Sequence, residues 1–256
     1  MGQAICSGLL GCEEIGPEDI CVANPGAQKR EHIEKTYGVR TVRDAREGLP
    51  ADVIVLAVKP NIVCEVASQL AETGIGRALL ISIAAGVSTA RLEACFAAAV
   101  PVVRVMPNTP LRVGAGMSVL SAGAHASDEQ VTLARALFSS MGHALVVPES
   151  SMDAVTAISG SGPAYFELVA ETIARSGEEL GLAYETAREL AVQTMYGTAA
   201  LLEETGQDLA EAIEEVSSPG GTTVAALDAM RENGLEKALR AGVRAAERRS
   251  FELGAS

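Results

Sequence analysis

Asp52-Val53-Ile54-Val55-Leu56-Ala57-Val58 is an unbroken apolar run rich in β-branched residues. It lacks the apolar–polar alternation of a strand with one wet face, so it predicts a strand buried on both sides, as in a parallel sheet. The run ends on Lys59-Pro60, and a helix is expected from there through Leu70. Ala78 to Ile83 repeats the pattern and ends in Ala84-Ala85-Gly86, with a helix expected from about Ser88 to Ala98. Val102 to Met106 ends in Pro107-Asn108-Thr109-Pro110. Strands that each finish in a small or polar turn are the layout of a doubly wound α/β sheet, which binds ligands at the carboxyl ends of its strands.

The flanking sequence fits that plan. Met1 to Cys12 has the small residues of a helix packed tightly on a sheet, and Ile20 to Ala23 reads as a short strand ending at Asn24-Pro25-Gly26. Gln28 to Tyr37 reads as a charged surface helix stopped by Gly38. Gly116 to Ala122 and Ala144 to Val147 read as further strands around a helix from Asp128 to Met141. From Ser150 onward there is only helical periodicity, so the chain is expected to divide into an α/β domain over 1–149 and an all-α domain over 150–256. Ala187, Leu190, Ala191, Thr194, Met195, Thr198, Leu201 and Leu202 lie on one helix face. That stripe could cover its own domain core or a second copy of the chain.

The net charge of −13 excludes a nucleic-acid partner, which would need clustered Lys and Arg. No apolar run approaches the ~20 residues of a membrane span, and the first residues are not a signal sequence. Five cysteines, all in the first hundred residues and without C-x-x-C spacing, read as reduced thiols in a cytoplasmic protein. The scattered His32, His125 and His143 offer no metal site. With 48% hydrophobic but only 3% aromatic residues, the core must be built from Ala, Val, Leu and Ile.

Two polar glycine-rich stretches remain. Ser217-Ser218-Pro219-Gly220-Gly221-Thr222-Thr223 lies between helical patterns, and its glycines and threonines open a helix toward Met230. Free N–H groups and hydroxyls converging on a helix N-terminus hold a carboxylate or phosphate, although a plain Thr-capped helix start has the same composition. Ser159-Gly160-Ser161-Gly162-Pro163-Ala164-Tyr165 breaks one helical pattern and starts another, with Pro163 suited to the first turn.

Together with Ala57-Val58-Lys59-Pro60, Ala84-Ala85-Gly86 and Val103 to Pro110, in this order and spacing, these two stretches closely resemble the pyrroline-5-carboxylate reductases, and the match covers essentially the whole chain. The resemblance implies a nicotinamide-binding Rossmann domain, then a helical substrate-binding domain that pairs in a homodimer or higher homo-oligomer, with the active site between the domains. The implied reaction is hydride transfer from NADPH, with NADH possible, to 1-pyrroline-5-carboxylate, giving L-proline in the last step of proline biosynthesis. It assigns the substrate carboxylate to Ser218, Gly221, Thr222 and Thr223, with Thr223 also the catalytic contact to the ring nitrogen. It assigns the cofactor to Gly2, Ala57, Val58, Lys59, Pro60, Ala84, Ala85, Gly86 and Asn108, with Thr109 beside Asn108, Asp44 near the adenosine and Glu149 near the nicotinamide. Asn24, where a carboxylate would select NAD, is also expected at the cofactor, and Gln28, Lys29 and Arg30 nearby favour NADPH.

The resemblance has one departure. The family begins with a strand and a G-x-G-x-x-G turn ending in Met-Gly, and Met1-Gly2-Gln3-Ala4-Ile5 starts at that last pair. The first strand and first two glycines are therefore expected to be missing, through a misplaced start, and a chain truly starting at Met1 should bind NADPH poorly. The alternatives are a truncated, inactive paralogue serving as a dimerising or metabolite-binding module, and a related imine reductase with another substrate.

Overall fold

The computed structural model describes residues 1–254. The chain divides into two compact units: Met1–Ser161 together with the chain from Ala245 onward, and Gly162–Arg244.

The first unit is α/β. In order it contains α1 (Gly2–Leu9), β1 (Cys21–Ala23), α2 (Ala27–Tyr37), β2 (Arg40–Val42), β3 (Val53–Leu56), α3 (Pro60–Thr73), β4 (Leu79–Ser82), α4 (Thr89–Glu93), β5 (Val102–Pro107), β6 (Gly116–Ala122), α5 (Asp128–Ser139), β7 (Gly142–Val146) and α6 (Met152–Val155). A five-stranded sheet runs in the order β3-β4-β5-β6-β7. Pairing is parallel from β3 to β5, antiparallel between β5 and β6, and parallel again between β6 and β7.

The apolar runs place the core on both faces of this sheet. Leu80 and Val102 join Val63, Ala67 and Leu70 of α3, whereas Leu79, Ile81, Val103 and Val105 join Ala134 and Phe138 of α5 and Ile5 of α1. Successive strand residues point to opposite faces, so a run that is apolar at every position is covered on both by helices. All four residues of β4 are buried.

β1 and β2 form a separate two-stranded parallel sheet. Among the described residues no strand pairs with the free edge of β3 or with a second edge of β1. What joins the two sheets is α1: Ile5 belongs to the large core, and the adjacent Cys6 packs with Ile33 and Val39 beside β1 and β2. β2 escapes sequence reading because it has three residues, two of them polar. The helix expected over 88–98 is only α4, because Cys95 and Phe96 donate to Leu92 and Glu93 in tight three-residue turns, and Pro101 bars its predecessor from helical geometry.

The second unit is helical: α7 (Gly162–Glu179), α8 (Tyr184–Thr205), α9 (Leu209–Glu215), α10 (Thr222–Glu232) and the first half of α11 (Leu235–Gly254). Ala170 and Ala174 of α7 and Ala187 and Ala191 of α8 are its buried apolar side chains, small enough to bring these two helices close. Tyr184 closes the pair, donating to Glu171 at 2.6 Å with Arg175 stacked 4.3 Å from its ring centroid. α9 and α10 bury no residue. The chain's own core absorbs the α8 stripe only in part: Ala187 and Ala191 are buried, whereas Leu190 is 55% and Leu201 58% exposed. No helix among the described residues is long and apolar enough to cross a membrane.

Because β1 and β2 are tied in by side-chain packing and not by a ladder, their amides are expected to exchange hydrogen through a local opening. Native-state exchange should show Cys21–Ala23 and Arg40–Val42 exchanging well before Leu79–Ser82, which should open only with the whole domain. Equal protection of both sheets would contradict this reading.

Candidate active site

The carboxyl ends of β3, β4 and β5 border one groove of about 330 Å³, lined by Met1, Ala57, Val58, Lys59, Ile83, Met106, Pro107, Asn108, Thr109 and Gly160. Each strand hands over to a turn that the sequence makes polar or small. Lys59 is the extended N-cap of α3, with Pro60 in the first helical turn, where its missing N–H costs nothing. Its exposed ammonium has no carboxylate partner among the described residues. α1 starts at the same place: a Cβ on Gly2 would sit 3.2 Å from that of Ala57, and no side chain caps this helix. A helix start and a free Lys at one groove give it positive potential. A larger depression of about 570 Å³ lies at the amino ends of β1 and β2, among Pro17, Glu18 and Arg40. It is at the wrong end of the strands for ligand binding in a doubly wound sheet.

Asn108 fixes the groove floor. Its Oδ1 accepts from the Met117 N–H at 2.9 Å and its Nδ2 donates to the Ser159 carbonyl at 3.2 Å, tying the end of β5 to β6 and to the Ser159–Gly160 stretch. That stretch is a π-helical turn, Thr156–Gly160, closed by the Ser161 N–H on Thr156 O at 2.8 Å.

Asn24 and Asp44 do not line this groove but follow β1 and β2. Asn24 accepts from the Gly26 N–H at 3.0 Å through its side chain and from Arg30 at 2.8 Å through its carbonyl, so the nearby cation is spent on folding the turn. Asp44 caps the 3₁₀ turn Ala45–Gly48 and grips the Arg46 guanidinium at 2.9 and 2.6 Å. Those bonds to Arg46 hold its carboxyl well below the usual range, at about 2.

Ala84 and Gly86 are buried and Ala85 is half-exposed. Gly86 has φ +76°, and a Cβ there would lie 3.1 Å from the Gly254 nitrogen, so only glycine fits against the end of α11. Glu149 is not in the groove lining. Its carboxylate accepts from the Thr89 N–H at 2.8 Å, the Thr89 hydroxyl at 2.6 Å and Arg104 at 3.3 Å.

In the helical unit, Ser218 to Gly221 form a tight turn in which the Gly221 N–H donates to Ser218 O at 2.9 Å and Gly220 has φ +71°. A Cβ on Gly221 would meet that oxygen at 2.9 Å. The N-cap of α10 is Gly221, and no side chain caps the helix, so neither threonine is spent as an N-cap. The first hydrogen bond back into the turn is from Ala225 to Gly221. The N–H groups of Thr222, Thr223 and Val224 and the Ser218 hydroxyl find no acceptor or donor among the described residues, and no acidic residue occupies the first helical turn. Such an end can take a carboxylate.

Sequence reading missed Met1, Ile83, Met106, Pro107 and Gly160 as lining residues. Met106 and Ile83 are the residues next to the named strand-end turns, so their place in the lining follows only once the strand ends are known. No signal in the sequence pairs Glu149 with Thr89, sixty positions away.

The chain from 149 to 253 matches the family model described as "Pyrroline-5-carboxylate reductase dimerisation", and residues 1–86 match one described as "NADP oxidoreductase coenzyme F420-dependent". It is 43% identical to the pyrroline-5-carboxylate reductase of a Synechocystis species over 99% of this chain and 95% of that protein. Identity to the Corynebacterium melassecola reductase is 40%, over the same shares. The pyrroline-5-carboxylate reductase structure from Coxiella burnetii superposes with a TM-score of 0.91 at 36% identity, covering 98% of this chain and 94% of that one. The Plasmodium falciparum reductase, solved with NADP bound, superposes at 0.89 with 29% identity, covering 99% of this chain and 94% of that one. On the full-length identity, the fold and the two family models, the chain belongs to the pyrroline-5-carboxylate reductase family.

Proposed function

We propose that this chain reduces 1-pyrroline-5-carboxylate to L-proline with NAD(P)H, in proline biosynthesis in the cytoplasm. The observation that carries the reading is the 43% identity to a reductase of that name over nearly the whole of both chains.

The groove at the ends of β3 to β5 fits a dinucleotide. Lys59 and the start of α1 supply positive charge for the pyrophosphate. Ala57 and Val58 give small walls for a flat ring and Asn108 holds the floor; Pro60, Ala84, Ala85 and Gly86 lie outside this lining and are assigned to the nicotinamide on the family resemblance. Asn24 and Asp44 end the strands that would meet the adenosine side. Asn24 carries no charge to repel a 2′-phosphate and Lys29, five positions on, is exposed, which supports NADPH over NADH. The bound cofactor supplies the hydride.

In the loop before α10, the N–H groups of Thr222 and Thr223 and the Ser218 hydroxyl hold the substrate carboxylate, with Gly221 allowing the close approach. The Thr223 hydroxyl meets the ring nitrogen and orients the imine, with a proton reaching nitrogen from it or through it. Placement and electrostatics carry the rate here. The helical unit pairs with that of a second copy through the uncovered apolar face of α8.

Thr223→Ala is expected to lower kcat by about a hundredfold with NADPH affinity changed less than about twofold, and Ser218→Ala to raise KM for pyrroline-5-carboxylate about tenfold. Steady-state kinetics with NADPH fluorescence titration test both, and an unchanged rate in Thr223→Ala would remove Thr223 from the site. Leu190→Glu with Leu201→Glu should turn the dimer into monomer in sedimentation velocity; an unchanged sedimentation coefficient would place the interface elsewhere.

A further inference from the structure

Glu149 and Arg104 form the most buried ion pair of the described residues, with side chains 28% and 7% exposed, 3.3 Å apart. Arg104 Nη2 is buried without a partner, and so is Glu93 Oε1, at the other end of α4. An arginine kept in such a place pairs with the Glu149 carboxylate and orients it, and leaving one of its donors unmatched carries a cost. The Glu149 carboxylate spends its oxygens on the backbone and hydroxyl of one residue, Thr89.

Thr89 is the first residue of α4, a helix of five residues that cannot be stable by propensity alone. The turn just before it, Ala84-Ala85-Gly86, has one long bond of its own, from the Val87 N–H to Ala84 O at 3.4 Å. Its position is set from outside. At the strand end Ser82 Oγ accepts from the Ala84 N–H at 3.3 Å, Gly86 rests on the end of α11, and at the helix end Glu149 grips Thr89.

We propose that Glu149, oriented by Arg104, is a positioning residue that acts through Thr89 to set where the Ala84–Gly86 turn meets the nicotinamide ring. It need not touch the cofactor. The proposal rests on the reading of that turn as the nicotinamide wall.

Glu149→Gln removes the charge that Arg104 requires, and Thr89→Val removes the hydroxyl while keeping the backbone donor. Each is expected to lower kcat about tenfold, with KM for pyrroline-5-carboxylate and the NADPH dissociation constant each moving less than about threefold, because the ring is misplaced while the rest of the dinucleotide is held. Thr89→Ser, which keeps the hydroxyl, should return to within about twofold of the parent. The double variant should be no slower than the slower single one, as for groups acting as a unit. In the protein without cofactor, amides from 84 to 89 should exchange faster in both variants. Unchanged kcat, additive losses, or Thr89→Ser as slow as Thr89→Val would overturn the proposal; if Glu149→Gln fails to fold, the Thr89 pair decides alone. Ala85→Val, within the turn, separates the two readings. If it lowers kcat while Glu149→Gln and Thr89→Val do not, only the positioning role falls; if it changes neither kcat nor NADPH affinity, the nicotinamide-wall reading falls with it.

Discussion

The constraint on which the first unit depends is that β4 and β5 are buried on both faces. Leu79 and Ile81 face one layer and Leu80 the other, so helices must cover the sheet on both sides. The polar backbone of the connecting turns is then left only the strand ends. Along one edge the turns after β3 and β5, Ala57-Val58-Lys59 and Pro107-Asn108-Thr109, line one groove together with Ile83 at the end of β4, so packing gathers small side chains, an unpaired Lys and the start of α1 there, with Ala84-Ala85-Gly86 following outside the lining.

The helical unit answers a different constraint. Its buried apolar side chains are alanines on α7 and α8, which leaves large apolar side chains uncovered and α10 with an open N-terminus. The turn at Gly220-Gly221 likewise has no side-chain cap. In the α/β unit the division of the sheet between β2 and β3 puts α1 in a double role, as the link between two cores and, through Met1 at its start, as an edge of the groove.

Much of this could be read from the residues. The runs at 53–56, 79–82 and 102–107 announced strands because burial on both faces leaves them apolar but for Ser82 and Arg104, and Gly38, at φ +70°, stopped α2 as expected. The Ser217–Thr223 stretch was legible as a loop between helices because Pro219, Gly220 and Gly221 interrupt the helical pattern. Some elements were not: β2 is defined by its partner β1, α4 is cut short by the tight turns at Cys95 and Phe96, and the π turn at Thr156–Gly160 shows only in its hydrogen bonds. Glu149 looked like a linker carboxylate or a cofactor ligand, and its grip on Thr89 and Arg104 appears only when sequence-distant elements are brought together.

The central claim is that the groove and the α10 loop serve one reaction, with dinucleotide chemistry in the first and carboxylate capture in the second. The most direct measurement follows NADPH oxidation by absorbance while proline is quantified, with pyrroline-5-carboxylate as substrate and its analogue lacking the carboxylate as control. The account predicts one proline formed per NADPH consumed and a rate for the analogue lower by about two orders of magnitude, the loss of a charge-assisted contact. Equal rates for the two imines, or NADPH binding without proline formation, would contradict it.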